Sequence, residues 1–353
     1  MDSFRDDLRE IDERIIALVN ERYNRAIEAR QAGLPVPELT ASDLETLSLE
    51  RLNGLNLGPM SQTSLQAIYR EIISGQLSLV RPARVAFFGA EGSFTHLAAL
   101  RKFGESVQCV SRPTVADVFD EVAKDCAEYG VVPVENSTEG VVTATFDLFV
   151  EANVQVYSEI YLRIHHYLMA RCPREAIKVV YSHPQVLGQC RRWIQQNLGD
   201  CHIVEVSNTT AAAERAAKEP DAAALGGILL AEKYDLHVLA SNVEDFSENI
   251  TRFLVLSKQT PAKTGDDKTS LMFAIQDKVG ALYDSLLPFK QDGVSLSMIQ
   301  SRPSKRKSWD YVFFVDLLGD ANEPTIHHAI DELSRHCKHV KILGTYPRAA
   351  DPV

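Results

Sequence analysis

The sequence predicts a multidomain chain of three successive fold classes: all-α over residues 1–80, α/β over 84–258 and α+β over 269–347. Three observations carry that division. Apolar residues recur at helical spacing through the first segment. Short apolar runs alternate with helical stretches in the second. The order strand, helix, strand, strand, helix, strand closes the third.

In the first segment Phe4, Leu8, Ile11, Ile15 and Leu18 mark one face of a helix that nothing interrupts before Gly33, and Gly33-Leu34-Pro35-Val36-Pro37 stops it. Ser42 with Glu45 forms a capping box for a second helix to Leu52, and Ser61 caps a third running to about Leu79. Arg81-Pro82-Ala83 is a linker. Strands are then expected at 85–88, 129–134, 154–156, 178–181, 202–204 and 222–225, with an Ala-rich helix at 211–218. After the polar linker 259–268, the periodicity predicts strand 269–276, helix 279–291, strands 294–301 and 310–318, helix 323–338 and strand 340–346. This βαββαβ order is that of the ferredoxin-like split unit.

Composition narrows the function. A chain of 353 residues with 45% hydrophobic and 24% charged side chains is ordinary globular material. The net charge of −11 argues against nucleic acid, and the run Lys305-Arg306-Lys307 is too short to reverse that. No run of 18 apolar residues argues for a membrane span, and the acidic start Met1–Asp7 lacks the apolar core of a signal peptide. Six cysteines without a CxxC pair fit reduced thiols in the cytoplasm. His336-Cys337-Lys338-His339 has metal-like residues without partners. His165-His166 and His327-His328 read as structural, so neither metal nor cofactor is expected.

Small polar residues gather at four expected strand-to-helix junctions: Glu91–His96, Glu135–Gly140, Ser182–Gln185 and Ser207–Thr210. Helix N-termini suit anions, and ligands of open α/β sheets collect at strand carboxyl ends. Each junction taken alone reads better as N-capping. Together they point to a cleft for a small polyanion such as a dicarboxylate.

These motifs, in order, resemble prephenate dehydratases: Gly89-Ala90-Glu91-Gly92-Ser93-Phe94-Thr95-His96, Val132–Gly140 with Glu135-Asn136-Ser137-Thr138, Tyr181-Ser182-His183-Pro184-Gln185, and Asn249-Ile250-Thr251-Arg252-Phe253. The resemblance implies a two-lobed fold like periplasmic binding proteins. One lobe would be about 84–159 with the return from about 240, the other about 160–239. It implies prephenate as substrate and gives Thr251 the catalytic role, as hydrogen-bond donor to the departing ring hydroxyl. Ser93, Asn136, Ser137, Thr138, Ser182, His183, Thr209 and Thr210 would cradle the substrate. Arg252 would pair a carboxylate or brace the cleft, and Glu139 would join the network or sit in a first helical turn.

The C-terminal segment resembles the ACT domain of these enzymes. That likeness implies L-phenylalanine as effector, bound by Gly280, Ala281, Leu282 and by Gln300, Ser301, Arg302, Pro303, with Gln300 where the family has Glu. Residues 1–80 resemble the fused chorismate mutase domain. Arg5 and Arg22 match its two arginines; being 17 residues apart, they stand roughly 25 Å apart along a helix and could meet one ligand only across a dimer. The family's Gly-x-x-Lys segment is replaced by Glu28–Gly33, with Arg30 as a possible substitute. The second-helix Asp and Arg fall in Glu38–Asp43 without an Arg, and Val80 stands where a Gln or Glu is expected. The expectation is a prephenate dehydratase, homodimeric or homotetrameric, regulated by phenylalanine, whose mutase-like domain pairs chains. The alternatives are a fully bifunctional mutase/dehydratase, an arogenate dehydratase, or a non-catalytic amino-acid sensor.

Overall fold

The computed structural model describes residues 2–32, 52, 54–79, 82–276, 278–303 and 311–349. The expected second helix except Leu52, the Gly33–Pro37 stop, Val80, the Lys305-Arg306-Lys307 run and the side chain of Arg30 lie outside the described residues. The chain forms two compact units: residues 1–83 with 103–108, and residues 84–102 with 109–353.

The first unit carries helices Asp2–Gln31 and Gln62–Ser78. Ser61 caps the latter as expected, its Oγ accepting from the Ser64 N–H at 3.1 Å. Ala26 and Ile73 are buried, and Tyr23 donates its hydroxyl to the Ile72 carbonyl at 2.7 Å. The stripe Phe4, Leu8, Ile11, Ile15 and Leu18 is exposed, Phe4 by 67% and Leu18 by 64%. Among the described residues no core covers this apolar helical face.

The second unit holds three sheets. In the first, β1 (Arg84–Phe88), β2 (Gln108–Arg112), β3 (Tyr129–Asn136), β5 (Gln155–Arg163) and β11 (Ile250–Ser257) lie in the order β2-β1-β3-β11-β5, with the two-residue β4 (Gly140–Val141) on β3. The second has the order β10-β6-β9-β7-β8, from β6 (Tyr167–Ala170), β7 (Val179–Ser182), β8 (His202–Glu205), β9 (Ala222–Gly226) and β10 (His237–Ser241). The chain passes between these sheets twice, over 164–166 and 242–249, which makes two lobes.

The third sheet contains β12 (Asp267–Ile275), β13 (Leu296–Pro303), β14 (Tyr311–Leu318) and β15 (Cys337–Pro347), all antiparallel in the order β13-β14-β12-β15, with helices Ala281–Gln291 and Pro324–His336. This is the expected βαββαβ order. One face packs on those helices through Phe273, Phe289, Val315 and Leu333. From the other, Met272, Phe314, Leu343 and Tyr346 join the core of the first lobe with Val156, Leu254 and Phe146. Gly344 permits the approach: a Cβ there would run into the Val156 backbone carbonyl. The expected strands did not include β11 or the two-residue β4, nor β2, β6 and β10. β2 and β10 are half-exposed sheet edges and β6 has four residues, so none carries a long apolar run.

Candidate active site

The site begins where β3 ends. β11 runs antiparallel to β3 and places Thr251 opposite Asn136. One residue further the register slips. Arg252 pairs Glu135 and Phe253 pairs Pro133, so Val134 is an extra residue bulged out of β3. Such bulges re-aim neighbouring side chains.

Asn136 is the hub. Its Oδ1 accepts the backbone N–H groups of Thr138 at 2.9 Å and Glu139 at 3.0 Å, and the Thr138 hydroxyl at 2.6 Å. Two backbone donors fix which end of the amide is oxygen. Its Nδ2 therefore donates, at 2.8 Å to Asn249 Oδ1 and at 2.7 Å to Thr251 Oγ1. A hydroxyl oxygen that accepts an N–H keeps its own proton for donation. Among the described residues no acceptor takes that proton. Ser137 ties the turn to the entry of β11: it accepts from the Ile250 N–H at 2.9 Å and donates to the Glu248 carbonyl at 3.1 Å.

Beside this hub lies a cavity of about 470 Å³ lined by Thr138, Glu139, Gln185, Gly188, Gln189, Glu244, Phe246 and Asn249. It lies between the lobes, with Thr138 and Glu139 from the first, helix Pro184–Gln189 from the second, and Glu244 to Asn249 from a crossover. Gln189 bridges it, donating to Glu139 at 3.3 Å, while its Oε1 faces His166 Nε2 at 2.8 Å. That orientation puts the His166 proton on Nε2. Burial lowers the His166 pKa. Glu244 locks the crossovers together, meeting His165 Nδ1 at 2.7 Å and the His166 N–H at 2.9 Å.

A second set of contacts joins the lobes near the loop before helix Phe94–Phe103. Lys233 reaches Glu91 at 2.6 Å, and Thr210 donates its hydroxyl to the Glu91 carbonyl at 3.2 Å. The Lys233 hydrogen bond and charge lower the Glu91 pKa. His96 stacks on Phe87 and accepts the Gly92 N–H at Nδ1, at 3.1 Å; burial lowers its pKa.

The structure sorts the expected residues. Asn136, Thr138, Glu139 and Thr251 come together at the cavity and its hub. Ser93 and His183 cap helices, accepting the His96 and Gln185 N–H groups at 3.3 Å each, and Asn208 caps the helix that Thr209 and Thr210 begin. Ser182 is fully buried and gives its hydroxyl to the Leu225 carbonyl at 2.8 Å, so it braces the second sheet rather than facing the cleft. Glu139 lies in the turn from β3 to β4, not in a first helical turn; the helix begins at Thr143. Arg252 does not reach for a substrate carboxylate: it is 4% exposed and held by Glu159 and Asp316. Burial alone would lower its pKa, but the surrounding Tyr346, Asp316 and Glu159 outweigh that and push it up.

Gln189, Glu244 and Phe246 were not singled out from the sequence, and Gln185 and Asn249 stood in the quoted motifs without a role. Gln185 and Gln189 share one face of a helix at i, i+4, a signal that was available. Glu244 and Phe246 had no pattern to mark them.

In the first unit, Arg22 donates to the buried Gln76, also unanticipated, while Arg5 is exposed.

Two sheets, a double crossover and an interlobe cavity beside a hydroxyl with no acceptor among the described residues define a two-lobed α/β protein with room for a small ligand between its lobes. The prephenate dehydratase family profile matches residues 85–261. The chain is 43% identical over 353 residues to a bifunctional chorismate mutase/prephenate dehydratase of Aquifex aeolicus (strain VF5), covering 98% of this chain and 97% of that one. Its fold matches the prephenate dehydratase of Arthrobacter aurescens, solved in complex with L-Phe, with a TM-score of 0.69 and 32% identity over 76% of this chain and 90% of that one. It also matches GqqA, described as a novel type of quorum quenching acylase, with a TM-score of 0.70 and 28% identity over 75% of this chain and 98% of that one. The chain belongs to the prephenate dehydratase family, among the bifunctional chorismate mutase/prephenate dehydratases.

Proposed function

We propose that the chain converts prephenate to phenylpyruvate, with Thr251 as the donor to the leaving hydroxyl. The ring carboxylate leaves as carbon dioxide, its bonding electrons enter the ring, and the ring expels hydroxide. Aromatisation drives the step, and a hydrogen bond to the departing oxygen lowers its barrier. The observation that carries this reading is the Asn136 amide donating to Thr251 Oγ1 at 2.7 Å, which leaves the hydroxyl proton available to another acceptor. A threonine is far too weak an acid to give up that proton in the ground state, so the hydroxyl acts by hydrogen bonding. The test is steady-state turnover of prephenate by the wild type and by Thr251→Val.

One observation favours a second reading. The described cavity lining carries Glu139 and Glu244 and no Lys or Arg. That suits a substrate with an ammonium in place of the keto group, as in arogenate. Side-by-side kcat/KM values for prephenate and arogenate decide between the two.

The domain division 1–80, 84–258 and 269–347 accompanies this proposal, with the last segment an ACT domain that binds L-phenylalanine around 280–282 and 300–303. Gly280 starts helix Ala281–Gln291 at φ +80, a conformation that favours glycine. Arg302 forks onto Asp147 at 3.0 Å and 3.2 Å, linking that segment to a helix of the first lobe. The exposed stripe from Phe4 to Leu18 would pair two copies of the chain. Such pairing also offers the only route by which Arg5 of one copy could approach Arg22 of another.

A further inference from the structure

We propose that Arg252 is a positioning residue: gripped by Asp316 of the third sheet on one face of β11, it fixes the Thr251 hydroxyl on the other. The inference rests on the reading of Thr251 given above and adds what holds it in place.

Consecutive residues of a strand point to opposite faces. Thr251 turns to Asn136 and the hub. Arg252 turns to the face of Leu254, where β5 places Glu159 opposite Leu254 and hence diagonal to Arg252. Its guanidinium donates from Nε to Glu159 at 2.9 Å and from one terminal nitrogen to the Tyr346 hydroxyl at 3.1 Å, and that nitrogen forms ion pairs with Glu159 at 2.8 Å and with Asp316 at 2.6 Å. Asp316 is itself fixed by the Ser270 hydroxyl at 2.5 Å, and Ser270 meets Tyr346 at 2.7 Å. Lys268 completes the charge balance on Glu159, at 2.8 Å and 2.9 Å. Two cations and two anions, each at most 5% exposed in its side chain, thus close on one another where the third sheet meets the first lobe.

The bulge makes this grip consequential. Between Arg252 and Phe253 the ladder to β3 is out of step, so regular pairing at the residue next to Thr251 comes from β5 alone, whose ladder is unbroken from Ile250 to Val255. The side-chain anchor adds a constraint where β3 no longer pairs regularly, and its Asp316 end comes from β14, outside the lobes. Lys268 shares the burial and the charge balance but bonds to Glu159, not to Arg252. It therefore separates positioning from mere stability.

The experiment compares Asp316→Asn, Lys268→Met and wild type as full-length proteins, reading kcat and KM for prephenate with the thermal midpoint alongside. Both substitutions unbalance the buried charges and lower the midpoint. Asp316→Asn is expected to lower kcat on the order of 10- to 100-fold with KM changed by less than about 2-fold, because the donor is misplaced while the cavity stays intact. Lys268→Met keeps kcat within about 3-fold. The inference is overturned if kcat of Asp316→Asn stays at the wild-type level or falls no further than that of Lys268→Met. Should Asp316→Asn fail to fold, Arg252→Lys takes its place: it keeps the charge, loses the fork, and carries the same expected and contradicting results. A wild type without turnover would instead reject the dehydratase reading itself.

Discussion

The two ends of the chain solve the same problem in opposite ways. Around β11 every motif residue finds its partner within one chain: Asn136 holds Thr251, and Glu159 and Asp316 hold Arg252. In the N-terminal helices the motif residues stand apart along Asp2–Gln31, and the apolar face between them is open. The difference teaches that the residues proposed for dehydration meet within a single copy, whereas the N-terminal arginines could meet one ligand only with a second copy present.

The largest expected effect breaks the first half of that comparison. Thr251→Val should lower kcat by about 10²–10⁴-fold while leaving folding and KM near wild type. Near-normal turnover in this variant would remove Thr251 from the reaction.

The second half is tested by charging the open face. Ile11→Asp with Ile15→Asp, one helical turn apart, should convert the oligomer to monomers by light scattering and keep dehydratase kcat within about 3-fold. An unchanged mass would show that this stripe does not pair chains.

Phenylalanine sharpens the comparison further. It should bind the intact protein by calorimetry and reduce prephenate turnover, and Asp147→Asn, which weakens the link to Arg302 from outside the binding segment, should weaken inhibition more than binding. A ligand shifts an equilibrium only through differential affinity for its two states. Binding without inhibition would keep the site and reject the coupling.

How much of this was legible in the sequence follows the range of the interactions. Helices and the βαββαβ order were readable because periodicity is local. Thr251, Asn136 and Thr138 came from short motifs. Ser182 misled because a serine at a strand end looks the same whether it faces a cleft or, as here, a neighbouring carbonyl. Arg252 could be read two ways because its partner Glu159 lies 93 residues away in sequence and the third sheet supplies the rest. Glu244 sits in a crossover whose place between the lobes exists only once both sheets have formed.

The smallest effect is on pH dependence. Burial lowers the pKa of His166 and of His96. The unfolded chain then binds protons that the folded protein resists. Their contribution is steady well above the ordinary histidine value of about 6.5 and declines as pH falls through it. The thermal midpoint should drop between pH 7.5 and 5.5, and His166→Gln should flatten the drop. A midpoint as steep in that variant as in wild type would remove His166 from the balance.

The most direct test of the whole account offers chorismate and prephenate separately to the purified full-length protein. The account predicts rapid formation of phenylpyruvate from prephenate and little or no consumption of chorismate, because Glu28–Gly33 replaces the segment in which the resemblance to the mutase domain expects a Lys. Robust chorismate turnover, abolished by Arg22→Ala, would contradict the reading of the N-terminal region as a pairing device. Failure to convert prephenate would contradict the central claim.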